Sequence, residues 1–418
     1  MTTETTRRTA VDRRCCTGGG SLPSPASLAD VLCFSQLRWD FVYQRPHHLM
    51  TRAGRDRRVW YVEEPVFEPD GPRLIVEDRQ PGLTIVRPVI PPSWPEADTD
   101  AAVSLMLREF VENNGIDRPI AWFYTPMALP WTGWLEPDVT VYDCMDELSA
   151  FQFAPPRMTA FEAQLLIRAD VVFTGGHSLY EAKRTRHANV HEFPSAVDAV
   201  HFRAARTEDE ESLDQRGLPS PRIGWFGVID ERMDLDLVAA VADLRPNWSF
   251  VLVGPSAKID PTTIPVRPNL HLVGPRSYAE LPRYIAGWNV AIMPFARNAS
   301  TRFISPTKTL EYLAAGRPVV STSIQDVVDP FERLGLVRIA DTPAEFIDAI
   351  EAAMAEDPEP FRASADAFLE PRTWDDTWAR MWGLVQEARA RHLGQDAHEA
   401  NSRPEGTAGR AVSAARRR

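Results

Sequence analysis

Residues 295–322 read FARNASTRFISPTKTLEYLAAGRPVVST, a helix signal followed at once by a strand signal. Ser305 suits a helix cap and Pro306 the first helical position, which predicts a helix from about Pro306 to Ala315. RPVVST then reads as a buried strand, and Ala314, Ala315 and Gly316 are small enough to let the helix lie close to its sheet. Working back toward the N-terminus, NVAIMPF, LHLVGP, SFVLVGP and RIGWFGVID each read as strands. Between them lie DLDLVAAVADL, a helix opened by Asp234, and a helix opened by Ser277 and Glu280, whose S-x-x-E spacing is a capping box. Strand and helix alternate throughout, which is the βαβ signature of a parallel sheet covered by helices.

The same alternation fills the chain upstream. DVLCFS, RVWYVEEP, LTIVRP, PIAWFYTP, VTVYDCM and DVVFTG are short apolar runs, each ending where polar, Pro or Gly residues begin. The acidic, proline-containing RTEDEESLDQRGLPSP interrupts the pattern and marks a boundary. The reading is therefore α/β with two Rossmann-like parallel-sheet domains, residues 30–205 and 222–370, joined by a linker at 206–221. In TWDDTWARMWGLV, Trp374, Trp378 and Trp382 form a stripe at helical spacing, so residues 371–393 are expected as a helix that packs and braces the two lobes. Residues 1–29 and 394–418 are polar and aperiodic and are expected as mobile tails. Gly18, Gly19 and Gly20 follow no strand, which argues against a phosphate loop there. Two such domains facing each other leave a cleft at the C-terminal ends of their strands, where open α/β sheets hold ligands.

Composition bounds the function. The 418 residues suit two or three domains, and 44% hydrophobic with 25% charged residues is an ordinary globular mix. A formal net charge of −12 argues against a general nucleic-acid binder, so no nucleic-acid partner is expected. The four cysteines, Cys15, Cys16, Cys33 and Cys144, form no CxxC pair, which suits a reducing cytoplasm. No run of about 18 apolar residues occurs and the N-terminus lacks a signal-peptide core. Arg416 to Arg418, and the cluster Arg52, Arg55, Arg57 and Arg58, read either as solvated charge or as a peripheral contact with the inner face of an anionic plasma membrane.

Chemistry concentrates at three places. At the start of the 306–315 helix, the backbone N–H groups of Thr307 and Lys308 should point outward as a ready anion site. Lys308 there opposes the helix macrodipole unless an anion, such as a diphosphate, sits between them. Glu311, three residues on, shares its face and could accept two hydrogen bonds from a ribose; the alternative is a plain Lys308 to Glu311 surface pair worth about 0.3 kcal/mol. In YDCMDE, the carboxylates Asp143, Asp146 and Glu147 end a strand, where they could orient acceptor hydroxyls or take a proton, or simply cap a helix. His47 and His48 after Arg45 and Pro46, and His177 after a Gly pair, stand at other strand ends, as ligand contacts or as polar caps. No ligand cluster has metal spacing, so no metal is expected.

These strings, taken together, resemble the retaining glycosyltransferases of the GT-B fold, in particular the glycosyltransferase 4/1 superfamily. GVIDERMDLDLVAAVA and SPTKTLEYLAAGRPVVS follow the order of that family's nucleotide-sugar domain. SQLRWDFVYQRPHHLM, VYDCMDELSAF, ADVVFTGGHSLYEAK and FPSAVDAVHF are similar to a subgroup associated with cell-envelope polysaccharide synthesis of teichuronic-acid type. The resemblance implies a nucleotide-diphosphate sugar as donor, a saccharide or lipid-linked acceptor, retention of configuration and no bound cofactor. It places Glu311 at the second glutamate of the E-x7-E motif, the one that holds the ribose; Phe303 stands where the first glutamate would be. The family's Arg and Lys that neutralise the leaving diphosphate are not matched cleanly, since GVIDERMD offers Arg232 but no lysine; Lys308, with Arg302 or Arg232, is expected to substitute for that charge, with Ser305, Thr307 and Gly227 beside the donor. Asp143 and Asp146 fall to catalysis, and Arg45, His47, Glu147 and His177 to the acceptor side.

Overall fold

The computed structural model describes residues 11–13, 29–207 and 211–402. Cys15, Cys16, Gly18 to Gly20 and the C-terminal arginines lie outside the described residues, as do the two tails for most of their length. Apolar runs such as Val31–Ser35 and Ile120–Phe123 are buried along their whole length, as strands covered on both faces by helices must be. In the first domain the parallel strands lie side by side in the order Leu83–Ile90, Val59–Glu63, Val31–Ser35, Ile120–Phe123, Val139–Cys144, Val171–Thr174, Val190–Glu192. Arg73–Gln80 adds an antiparallel hairpin partner to Leu83–Ile90, turning through Gly82 at φ +80°.

The second sheet is parallel throughout, in the order Leu270–Gly274, Ser249–Val253, Arg222–Phe226, Val290–Met293, Val319–Ser321, Val337–Ile339. Each sheet reverses its winding beside its central strand, Val31–Ser35 in one and Arg222–Phe226 in the other. Such switch points open a crevice at the carboxyl ends of the strands, and both crevices open on the same cleft. The helix starts expected from sequence are present: Asp234 accepts from Leu237 N–H at 2.8 Å, and Ser277 and Glu280 form their reciprocal box.

The chain passes between domains at Ala196 and Val197. Phe193 and Ala196 belong to the first core, whereas Val197, Phe202 and Ala205 belong to the second. The passage therefore lies upstream of the expected linker. Most of that linker packs on the second domain: Gln215 is fully buried, donates to the Tyr284 carbonyl at 2.7 Å and accepts from the Trp288 indole at 3.1 Å. The return passage runs alongside, with Val197 N–H donating to the Arg372 carbonyl at 3.1 Å. Helix Trp374–Ser402 then lies back on the first domain. Trp374 is buried and stacks on His48 at 4.4 Å, and Trp378 bridges Trp122 and Trp382 at 6.0 and 5.2 Å, so the stripe packs.

Candidate active site

The cleft holds a cavity of about 360 Å³ whose walls come from both domains. Its second-domain wall is the start of helix Thr307–Ala314. That helix begins one residue later than the sequence suggests. Pro306 takes an extended ψ of 114° and is the cap residue, and no side chain caps the end. Ser305 does not cap; it packs on Gly176 of the first domain so tightly that a Cβ there would lie 2.6 Å from the serine Cβ. The first N–H groups of the helix are thus left without a capping side chain at the cavity wall, where they suit an anion. Thr307 Oγ1 donates to Ser195 Oγ at 2.8 Å and ties this turn to the first domain.

Lys308 crosses the end of strand Arg222–Phe226. A Cβ on Gly227 would sit 2.8 Å from Lys308 Cε, and Gly227 has φ +142°, so glycine is required there twice over. Gly254, also at φ +142°, abuts the Gly227 carbonyl, and the two glycines make a floor without side chains. The Lys308 ammonium lies 5.4 and 5.7 Å from the Trp225 and Phe295 ring centroids and makes no ion pair among the described residues. Glu311 is 7% exposed, lines the cavity and makes no hydrogen bond or ion pair among the described residues. The simple Lys308 to Glu311 pair is therefore not formed. Desolvation by burial pushes the Glu311 carboxyl up and the Lys308 ammonium down, with Arg232 adding to the fall of the lysine; the attraction between Lys308 and Glu311 offsets only part of it.

Arg232 lines the cavity too, held by Asp230 at 2.6 Å, so its charge is partly spent. Arg302 is exposed, lies over the Phe303 ring at 5.1 Å and is not part of the cavity wall. Phe303 packs against the first-domain core.

Across the cleft stands Asp146. It is half-buried, and burial pushes its carboxyl up to about 6, against the pull of Arg232, Lys308 and Arg45. Asp143, three residues earlier, is on the other side of the strand end and outside the cavity wall. It is fully buried and held by Arg45, whose Nε lies 3.1 Å from both carboxylate oxygens while Nη1 donates to the Phe193 carbonyl at 2.7 Å. Glu147 is likewise turned away from the cavity. It pairs with the buried Lys183 at 2.6 Å, and Lys183 pairs with Glu162 at 2.6 Å. Of the three YDCMDE carboxylates, Asp146 alone lines the cavity, and Asp143 and Glu147 fix the loop that carries it.

Both nitrogens of His47 are engaged, Nδ1 accepting from Gln44 N–H at 3.0 Å and Nε2 facing the Trp39 carbonyl at 2.7 Å. His47 therefore shapes the 39–44 loop, while its neighbour His48 lines the cavity, neutral because burial pushes it down to about 2. His177 is exposed, pairs with Glu192 at 3.0 Å and stands outside the cavity wall. Sequence reasoning did not single out Tyr43 and Tyr278, which stack at 4.6 Å across the domain boundary and line the cavity together. Their only sequence signal was a lone tyrosine in each of two loops.

The basic cluster is engaged within the fold. Arg52 and Arg55 meet Asp375 at 3.1 and 2.6 Å, Arg57 meets Asp56 at 2.8 Å and lies over Trp382, and Arg58 meets Asp30 at 2.5 Å. Among the described residues no helix is long and apolar enough to cross a membrane, and no group of three or more His, Cys, Asp or Glu could hold a metal ion.

Two Rossmann-like domains enclosing a helix N-terminus, a lysine and an unpartnered carboxylate define a GT-B protein. Residues 220–356, in the second domain, match the family model described as glycosyl transferases group 1. The protein named "Putative teichuronic acid biosynthesis glycosyltransferase TuaH" of Bacillus subtilis (strain 168) is 26% identical over 236 residues. That match takes in 52% of this chain and 59% of the relative, so the chain spans rather more than half the length of the relative. Among solved structures, sucrose-phosphate synthase from Thermosynechococcus elongatus superposes with a TM-score of 0.60 at 17% identity, over 90% of this chain and 100% of that one. HepE of Anabaena, in complex with UDP and glucose, gives 0.58 at 14% identity, over 89% and 99%. The catalytic domain of starch synthase IV from Arabidopsis thaliana gives 0.61 at 10%, over 87% and 100%. These likenesses establish the fold.

Proposed function

We propose that the protein is a retaining glycosyltransferase that moves a sugar from a nucleotide-diphosphate sugar to a hydroxyl of a saccharide or lipid-linked acceptor, in making a cell-envelope or extracellular polysaccharide. The observation that carries this reading is the pair Lys308 and Glu311, both without an ion pair or hydrogen bond among the described residues, at an uncapped helix start opposite Asp146. A diphosphate against the Thr307 and Lys308 N–H groups would lift the conflict between the lysine and the helix dipole. The Glu311 carboxylate, about one turn deeper, would accept from the two vicinal ribose hydroxyls. The glycine floor at 227 and 254 lets the backbone come close to the donor.

The acceptor hydroxyl attacks the anomeric carbon on the face from which the nucleotide diphosphate departs; the glycosidic bond to the diphosphate breaks, and the hydroxyl proton passes to the departing phosphate oxygen. Lys308 and the helix N-terminus stabilise the charge that grows on the leaving group. Asp146 orients the acceptor hydroxyl from the other wall. The name of the Bacillus subtilis relative supports the cell-envelope assignment.

Labelled nucleotide sugars, incubated with and without saccharide acceptors, test the proposal. Label should appear in a longer saccharide only when acceptor is present, with the donor's anomeric configuration kept. A sugar epimerised without acceptor would assign an epimerase instead. Donor binding with no transfer to any acceptor would leave a non-catalytic partner of a glycan assembly complex.

A further inference from the structure

A second cavity, of about 810 Å³, lies beside the cleft on the first domain. Three aromatic side chains on its wall are open to solvent: Phe67 at 57%, Trp94 at 36% and Phe153 at 77%. Aromatic surface gathered in one concavity marks a binding site more often than scattered exposed residues do. Phe153 is held at φ +65° and Lys258, which also lines this cavity but comes from the second domain, at φ +54°. For a residue as bulky as phenylalanine that conformation is an outlier, and such strain gathers at ligand sites.

The wall is also polar. Gln36 and Arg157 line the cavity, although Gln36 Oε1 and Arg157 Nε are themselves enclosed, without a hydrogen-bond partner among the described residues. Glu96, Gln152 and Lys258 on the same wall are exposed and offer a ligand's hydroxyls both acceptors and donors. The cavity meets the cleft at Phe151, whose ring lies 5.3 Å from the Arg232 guanidinium and 5.9 Å from the Lys258 ammonium. Gln152 N–H donates to Glu231 at 3.2 Å at the same place, so the two domains close around this junction.

We infer that this groove binds the unreacting rings of the acceptor, and that the acceptor is an oligosaccharide whose terminal ring alone enters the cleft. The inference rests on the proposed function, whose donor site it leaves unchanged. A sugar ring offers an apolar face to Phe67, Trp94 and Phe153 and an edge of hydroxyls to Glu96, Gln152 and Lys258. A hydrocarbon chain would cover the aromatics but strip water from those polar groups without replacing its hydrogen bonds. Contacts to rings far from the reacting hydroxyl would serve to position it.

Titration calorimetry on the full chain, saturated with the nucleotide that binds it, tests this with defined oligosaccharides of one to six rings and with farnesyl phosphate. Affinity should rise by about tenfold or more between one ring and four. Trp94→Ala and Phe153→Asn, the latter tolerant of positive φ, should each remove that rise and leave the nucleotide-induced thermal shift of wild type in place. No binding of any oligosaccharide, a rise that survives both substitutions, or farnesyl phosphate binding that both substitutions abolish would each overturn the inference. Failure of the proposed function itself would show separately, as no nucleotide shift in the wild-type chain.

Discussion

At the scale of single residues, the site rests on two buried ionisable groups, Lys308 and Glu311, that make no ion pair among the described residues. Lys308→Ala should lower turnover at least tenfold while circular dichroism stays native, because the lysine makes no hydrogen bond or ion pair among the described residues; a fully active purified variant would remove it from the mechanism. An anion beside Lys308 favours its charged form, whose pKa burial and then Arg232 hold below the usual lysine value. Nucleotide affinity should therefore weaken as the pH rises above neutrality, with net proton uptake by the protein in calorimetry over that range. Asp146 works in the opposite sense for stability. Its folded carboxyl titrates at about 6, above the unfolded value, so the folded state binds the extra proton and stability falls as the pH rises from about 4 to 6. Asp146→Asn should then be more stable than wild type at pH 7 by roughly 1–2 kcal/mol and near equal to it at pH 4, by urea unfolding. That Thr307, Lys308 and Glu311 would share one wall of the cleft was legible because a helix start announces itself locally: Ser-Pro-Thr-Lys, then Glu311 on the same face. Which of Asp143, Asp146 and Glu147 faces the cleft was not legible, since that depends on Arg45 and Lys183, distant in sequence and buried beneath them.

At the scale of elements, the ends of the strands Arg222–Phe226 and Ser249–Val253 set how close a ligand can come. Gly227→Ala would drive a methyl against Lys308 Cε and strain a backbone at φ +142°. It should cost about 1–3 kcal/mol of stability and abolish nucleotide binding, read by denaturation and by thermal shift on the same sample. Most strands were readable because parallel strands covered on both faces are unbroken apolar runs. Arg73–Gln80 was not: RLIVEDRQ mixes charge into its alternation, as a half-covered strand near a sheet edge must, and so lacks that run. The linker was misplaced for a related reason. Its acidic, proline-containing composition looks like a spacer, but Gln215 completes hydrogen bonds to Trp288 and Tyr284, partners that only the folded second domain supplies.

At the scale of the whole molecule, the domains are joined by two adjacent passages and by one helix that belongs in sequence to the second domain and in space to the first. Trp374 is buried there against His48, a residue of the cleft wall, so the C-terminal helix supports the site as well as the core. Trp374→Ala should cost about 3–5 kcal/mol and loosen His48, giving a lower unfolding midpoint and a weaker nucleotide shift together. The two-domain architecture and its cleft could be read from the alternation of strand and helix, whereas the point where the chain changes domain could not, because it depends on which core Val197 and Phe202 reach. The central claim is that Lys308 and Glu311 form a nucleotide site. Its most direct test is a thermal-shift series with UDP, GDP, ADP, TDP and their sugar conjugates on the wild type and on Glu311→Ala. A nucleotide at 100 times its dissociation constant should add about 2.7 kcal/mol to wild-type stability and little to the variant. No shift from any nucleotide, or one that Glu311→Ala leaves intact, would contradict the claim.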